Sequence, residues 1–198
     1  MTFLRTFIAV EIPTFIRQAI LQKTELLRKT LDKSLVRWVP IQNVHLTLKF
    51  LGNVSPGHID VLTRMLRTET DMIEAFAIHI NSLGCFPSLR RPRVIFVGIQ
   101  AAAELESLFH RIDSACVRLG YKSEQQRFSP HLTLGRIKPY ISASDQQKIR
   151  RALEELKIDS LGTARVDSVH LYKSDLKSSS SIYTKIFSAP LKTWQHYV

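Results

Sequence analysis

The hydrophobic residues of this chain fall into short apolar runs typical of β-strands and longer stretches with the spacing of amphipathic helices. Proline, glycine, serine and asparagine separate these segments and mark where the chain turns. We predict strands at residues 6–12, 44–51, 75–83, 94–99, 131–137, 164–172 and 183–190. Helices are predicted at 13–31, 101–119 and 144–157. A further helix is predicted to begin at residue 55 and to carry an apolar stripe that ends at residue 66. Residues 86–92 and 177–181 are predicted to be loops.

One short segment occurs twice within this pattern, as His45-Leu46-Thr47-Leu48 and as His131-Leu132-Thr133-Leu134. Successive side chains of a strand point to opposite faces, so each copy buries its leucines and presents an imidazole and a hydroxyl on the other face. Two strands of this kind are predicted to form the two halves of one site.

The order of the predicted elements is repeated as well, with a helix, the motif strand, a further helix and a strand in each half of the chain. No change in composition marks a domain boundary between the halves. We therefore predict an α+β fold that forms a single bilobal domain over residues 1–198, a duplicated unit with pseudo-twofold symmetry. Two largely antiparallel sheets are expected to face a central cleft, with the helices outside.

Charge points to an anionic partner. Lysine and arginine total 28 against 17 aspartate and glutamate residues, which gives a net charge of +11 and favours nucleic acid among possible partners. The two cysteines have no CxxC partner, which is typical of a protein in a reducing compartment. No apolar run is long enough for a signal segment or a membrane span, so we expect a monomeric, cytoplasmic protein that binds no membrane.

The repeated residues suit acid–base chemistry. Imidazole titrates near pH 6.5, so one neutral ring can accept a proton while a second, charged ring donates one. The hydroxyls of Thr47 and Thr133 are expected to hold the charged oxygens of an anionic substrate. The alternative for a single histidine is a structural role, and for the threonines it is that β-branched residues favour strands. The duplication favours catalysis for His45 and His131.

Five further residues are weaker candidates for substrate binding. Lys49 shares its strand parity with His45 and either faces the cleft or lies on a solvated rim. Arg136 has the opposite parity to His131, so it reaches the site only if the strand ends or twists there. Arg127 either contacts a nucleic-acid backbone or is a plain surface residue. Phe7 and Tyr183 either stack on a terminal base or pack in the core.

Metal and nucleotide-triphosphate chemistry lack a supporting pattern. The remaining histidines do not show metal-ligand spacing such as H-E-x-x-H, and the chain has no G-x-x-x-x-G-K loop. We therefore predict no metal and no cofactor, and the sequence argues against an ATP-dependent ligase.

Longer segments around the repeats carry a resemblance to a known family. They are TFIAV at 6–10, HLTLKFLG at 45–52, PHLTLGR at 130–136 and LYKS at 171–174, followed by Tyr183. The paired motifs resemble those of the 2H phosphoesterase superfamily. With their flanks they are similar to the bacterial and archaeal RNA 2′,3′-cyclic phosphodiesterases, historically named 2′-5′ RNA ligases.

The resemblance implies a bilobal fold around the cleft and metal-independent hydrolysis of a terminal 2′,3′-cyclic phosphate on RNA to a 2′-phosphate. It also implies that His45 is the proton donor and His131 the proton acceptor. The substrate is expected to be an RNA end of this kind or a small cyclic nucleotide. Two alternatives remain open, namely the reverse joining reaction that makes a 2′-5′ linkage and an RNA- or nucleotide-binding module without turnover.

Overall fold

The computed structural model describes residues 3–100, 102–176 and 181–193. Its helices are α1 (Thr14–Lys23), α2 (Glu25–Thr30), α3 (Ile59–Thr70), α4 (Ala103–Arg118) and α5 (Ala143–Glu155). Its strands are β1 (Leu4–Glu11), β2 (Val36–Trp38), β3 (His45–Val54), β4 (Phe76–Phe86), β5 (Val94–Gln100), β6 (His131–Ile137), β7 (Gly162–Val166), β8 (Ser168–Leu176) and β9 (Ser181–Pro190). Residues 177–180 of the predicted loop at 177–181 lie outside the described residues.

The strands form one curved sheet in the order β7-β4-β5-β6-β3-β1-β8-β9, and β2 adds to β6. All of the strand pairs are antiparallel. The two halves of the sheet meet where β3 pairs with β6, at Leu46 and Leu132. The α+β class is confirmed, and the two sheets expected from the sequence are the halves of one continuous sheet.

Helices cover the face of the sheet opposite the cleft. Helices α3 and α4 pack together and against strands β3, β8 and β9, while α1 packs against β7 and α2 against α5. The strand positions that face these helices are aliphatic and buried, for example Ile8, Leu46 and Leu132. Burial of this apolar face leaves the opposite face free for the polar residues of the two motifs. None of the helices in the described ranges is long and apolar enough to cross a membrane.

The helix predicted at 13–31 is interrupted at Thr24 and becomes α1 and α2. The Thr24 hydroxyl donates a hydrogen bond to the Ile20 carbonyl at 2.7 Å. A threonine that bonds back to the preceding turn in this way bends a helix, and the apolar spacing alone does not show it.

The strand predicted at 164–172 is two strands on opposite sides of the sheet. Strand β7 pairs with β4, and β8 pairs with β1 and β9. Asp167 lies between them, where its carbonyl accepts a hydrogen bond from the Leu191 amide. Alternation continues across this residue, so the sequence pattern did not show that the chain changes partners.

Candidate active site

The pairing of β3 with β6 brings the two motifs together. Because Leu46 is directly opposite Leu132, antiparallel geometry places His45 across from Thr133 and Thr47 across from His131. The four side chains share the cleft face, and the two leucines are buried beneath them. A cavity of about 590 Å³ opens here, and its walls include His45, Thr47, Thr133, Arg136, Phe7 and Tyr183.

The two histidines are held in the same way by the backbone. Nδ1 of His45 lies 2.7 Å from the carbonyl oxygen of Asn43, and Nδ1 of His131 lies 2.7 Å from that of Ser129. A carbonyl can only accept, so Nδ1 of each ring carries the hydrogen. Nε2 is therefore the nitrogen that gains or loses a proton in both rings.

Aromatic side chains from the same half of the sheet support each imidazole. The His45 ring stacks on Phe7 with 4.8 Å between ring centroids and meets the edge of Tyr183 at 5.3 Å. The His131 ring packs against Phe86 at 5.0 Å and Phe96 at 5.3 Å. These contacts restrict the ring orientations before substrate binds.

The environment of His45 favours its neutral form. Burial lowers the pKa of His45 below its ordinary value, and the charge of His131 lowers it further, while the hydrogen bond to Asn43 acts in the opposite direction.

Lys49 does not face the cleft, and the parity argument for it was wrong. The register of β3 with β1 shifts between the pairs Ala9–Thr47 and Ile8–Lys49, which leaves Leu48 as an extra residue. This β-bulge turns the next side chain to the helix-covered face. Lys49 is only 4% exposed there, so it can neither contact phosphate nor form a solvated rim.

On that face Lys49 donates hydrogen bonds to the Asp113 carboxylate of α4 and, at 2.6 Å, to the Lys122 carbonyl. Burial alone would raise the pKa of Asp113. Hydrogen bonds from Lys49, the Glu124 amide and the Ser123 hydroxyl instead lower it below its ordinary value. This cluster ties the first motif strand to the loop that leads toward the second.

The same kind of bulge turns Arg136 into the cleft. The register of β6 with β5 shifts between the pairs Phe96–Thr133 and Ile95–Gly135, so Leu134 is the extra residue. Arg136 is exposed and lines the cavity. The sequence analysis expected Arg136 to reach the site only if the strand ended or twisted there. The strand continues to Ile137, and it is the bulge that brings Arg136 into the cleft.

The aromatic candidates and Arg127 are placed differently from one another. Phe7 is only 3% exposed because His45 and Tyr172 stack on it, so stacking of Phe7 on a base is excluded and it supports His45 instead. Tyr183 is half-buried and lines the cavity. Arg127 is exposed in the loop before β6 and is not among the cavity-lining residues that the structure describes.

Several cavity-lining residues escaped the sequence analysis, among them Phe50 and Arg37. Phe50, which is 63% exposed, occupies the sixth position of the first motif, as Arg136 does in the second. Comparing the repeats beyond four residues would have found it. Arg37 also lines the cavity, on the three-residue strand β2, which is too short to give a detectable alternation. No group of three or more potential metal ligands was found among residues 3–100, 102–176 and 181–193.

The geometry agrees with the comparisons to known proteins. A family model described as the 2′-5′ RNA ligase superfamily matches residues 16–177. The chain belongs to this superfamily. It is 31% identical over 180 residues to the RNA 2′,3′-cyclic phosphodiesterase of Methanothermobacter thermautotrophicus, covering 91% of this chain and 95% of that protein. The protein of the same name from Methanocaldococcus jannaschii is 30% identical over 183 residues, covering 92% and 98%.

Two solved structures superpose on almost the whole chain and have the same fold. E. coli LigT in complex with 3′-AMP gives a TM-score of 0.76 at 24% identity and covers 96% of this chain and 98% of that one. TT0787 of Thermus thermophilus gives 0.78 at 22% identity and covers 95% and 98%. The predicted family is thus confirmed, and the shared name of the curated relatives confirms the prediction of an enzyme, a phosphodiesterase.

Proposed function

We propose that this chain, acting as one bilobal domain, hydrolyses the 2′,3′-cyclic phosphate end of RNA to a 2′-phosphate by acid–base catalysis with two histidines. The observation that carries the proposal is the matched pair of imidazoles on one face of adjacent strands, each with Nδ1 bound to a backbone carbonyl. The name of the curated relatives supports the same reaction.

The two Nε2 atoms divide the proton transfers. Nε2 of neutral His131 takes a proton from the attacking water, and Nε2–H of charged His45 gives one to the leaving 3′-oxygen. Burial lowers the pKa of His45 in the free cleft, and a bound phosphate anion acts in the opposite direction because it favours the charged ring. The substrate itself therefore helps to prepare the proton donor.

Neutral and cationic donors hold the phosphate during this exchange. Thr47 and Thr133 project from the cleft face beside the two rings, and Arg136 lies past the second bulge with its guanidinium exposed to the cavity. Such donors stabilise the charge on the non-bridging oxygens. With proton transfer supplied by the imidazoles and charge stabilisation by these donors, the scheme requires no metal.

The test is incubation with a short RNA that ends in a 2′,3′-cyclic phosphate, with EDTA in one arm and Mg²⁺ in the other. We expect equal turnover in both arms and a 2′-phosphate product. Release of a 3′-phosphate would contradict the assigned leaving group, and activity only with Mg²⁺ would contradict metal independence. A third arm with a 5′-hydroxyl RNA detects joining, which would favour the ligase reaction.

A further inference from the structure

Two arginines stand directly opposite each other in the cleft. Strand β2 pairs with β6 so that Arg37 faces Arg136, and directly paired residues of antiparallel strands project from the same face of the sheet. Both side chains are exposed, and both line the cavity that contains His45, Thr47 and Thr133.

This arrangement places like charges next to each other. Like charges directly opposite across two strands destabilise the pairing. In the described ranges neither guanidinium forms an ion pair, and none of the residues lining the cavity is an aspartate or glutamate. A ligand with two negatively charged groups would relieve the repulsion between the two arginines. A cyclic phosphate bound between the histidines supplies only one such group.

The opposite end of the cleft carries one arginine, Arg5, together with an exposed aromatic ring. From the crossing at Leu46 and Leu132, β3 and β6 run in opposite directions, so Phe50 and Arg136 lie on opposite sides of the catalytic residues. Phe50 is 63% exposed, which leaves its ring available to a base.

The chemistry of a terminal nucleotide fits this asymmetry. When its 2′,3′ edge holds the cyclic phosphate, the base leaves the ribose at C1′, beside C2′, and the rest of the RNA leaves through C4′, beside C3′. Base and upstream phosphodiester therefore extend toward opposite ends of the cleft. The arginine pair matches the phosphodiester, and the aromatic end matches the base.

We propose that Arg37 binds the phosphodiester that links the terminal nucleotide to the rest of the RNA, while Arg136 lies between it and the cyclic phosphate. Arg37 is then a specificity-determining residue that makes an RNA chain a better substrate than a cyclic mononucleotide. This inference rests on the proposed function.

The test compares an RNA hexanucleotide ending in a 2′,3′-cyclic phosphate with a 2′,3′-cyclic mononucleotide. In Arg37→Ala, the ratio of kcat/KM for the hexanucleotide to that for the mononucleotide falls about tenfold, the size expected for one charge-assisted hydrogen bond. The change resides in KM, and Arg37→Lys restores part of it. The slope of log kcat/KM against log salt for the hexanucleotide weakens by about 0.7, as for one lost phosphate contact on a single strand.

Arg151→Ala is the matched control, because Arg151 is an exposed arginine on α5 outside the cavity. It removes the same charge and leaves the substrate ratio unchanged. Unfolding curves of all three variants show whether the fold is retained.

Two results would overturn the inference while the proposed function stands. One is a wild-type enzyme that shows no preference for the hexanucleotide. The other is an Arg37→Ala variant that keeps the wild-type ratio, whether both activities persist or both fall together. If the wild-type enzyme opens neither cyclic phosphate, the proposed function itself has failed.

Discussion

Each motif histidine binds the backbone through one ring nitrogen and leaves the other for the proposed chemistry. The carbonyl oxygens of Asn43 and Ser129 bind the Nδ1 hydrogens, and aromatic rings pack beside both imidazoles. A ring held at one nitrogen and along one side has few orientations. In the proposed reaction, Nε2 therefore meets the phosphate without a large loss of side-chain freedom.

Substitution of either histidine tests the division of roles. We expect His45→Ala and His131→Ala each to lower kcat on the cyclic-phosphate RNA by roughly 10² to 10⁴, the range for loss of a positioned acid or base. The double variant should be little slower than the worse single variant, because the two rings act as a unit.

His110→Ala is the control, since His110 is exposed on α4. It should retain wild-type kcat, and circular dichroism should show native folding for every variant. Wild-type turnover in the double variant would remove the histidines from the mechanism.

At the scale of elements, two β-bulges decide which residues enter the cleft. Leu48 and Leu134 are the extra residues, and after each of them the parity of the strand reverses. Lys49 is thereby buried against α4, while Phe50 and Arg136 reach the cleft. The repeated motif therefore includes its bulge as well as its imidazole and hydroxyl.

The first bulge leads to a prediction about stability. Lys49→Met leaves the Asp113 carboxylate without its cation in a largely buried position, where the two side chains are 4% and 13% exposed. We expect the free energy of unfolding at pH 7 to fall by about 3 kcal/mol, the lower end for breaking a buried pair. Urea unfolding measures the difference.

The pH dependence of that difference follows from the lowered pKa of Asp113. A carboxylate with a lowered pKa stabilises the fold above its unfolded value near 4, and the contribution is lost as the pH falls through the folded pKa. The difference in free energy of unfolding between the wild-type protein and Lys49→Met should therefore become smaller in acid.

The control is Lys29→Met, which removes an exposed partner of Glu25 and should leave the free energy of unfolding nearly unchanged. Equal losses in both variants would contradict the account.

Strand β2 depends on a glycine in the second motif strand. A Cβ at Gly135 would come within 2.7 Å of Val36 Cγ1 and 2.9 Å of the Trp38 ring. We expect Gly135→Ala to displace β2, to lower the free energy of unfolding by about 1–3 kcal/mol and to weaken RNA binding through Arg37.

Gly57→Ala provides the comparison, because a Cβ there has no heavy atom within 4 Å. Unfolding curves and KM for the hexanucleotide should change for Gly135→Ala alone. Identical behaviour of the two variants would show that close approach of β2 is not required.

The sequence predicted the parts of this site that depend on local pattern. Alternation within four residues was enough to place His45, Thr47, His131 and Thr133 on one face. It failed at Lys49, because a bulge depends on the register with a partner strand. The sequence pattern did not identify Arg37, because a strand of three residues is too short to show a periodicity. It also predicted β7 and β8 as one strand, because the alternation of apolar and polar residues does not change where the chain moves to a new partner strand.

At the scale of the whole molecule, positive charge and buried imidazoles act together. The net charge of +11 attracts RNA from a distance, and the cleft adds arginines at both ends, at Arg5 and at Arg37. The aromatic face beneath His45 excludes water from its ring, which lowers the pKa of that ring. This burial therefore makes folding sensitive to acid.

We expect the free energy of unfolding to fall as the pH drops from 7.5 to 5.5. Burial lowers the folded-state pKa of both His45 and His170 below the unfolded value near 6.5. The unfolded chain therefore binds more protons in this interval, and stability decreases with falling pH. Urea unfolding at several pH values measures the slope, which should be smaller in His170→Asn. A stability that is constant or rises toward pH 5.5 would contradict this prediction.

The central claim is that two imidazoles from distant parts of the chain act on one phosphorus atom. A crystal structure of the protein with a bound 2′-phosphate product tests it most directly. The account predicts that Nε2 of His45 and Nε2 of His131 both lie within about 3.2 Å of oxygens on that phosphate. A phosphate held by one ring, with the other ring directed elsewhere, would contradict it.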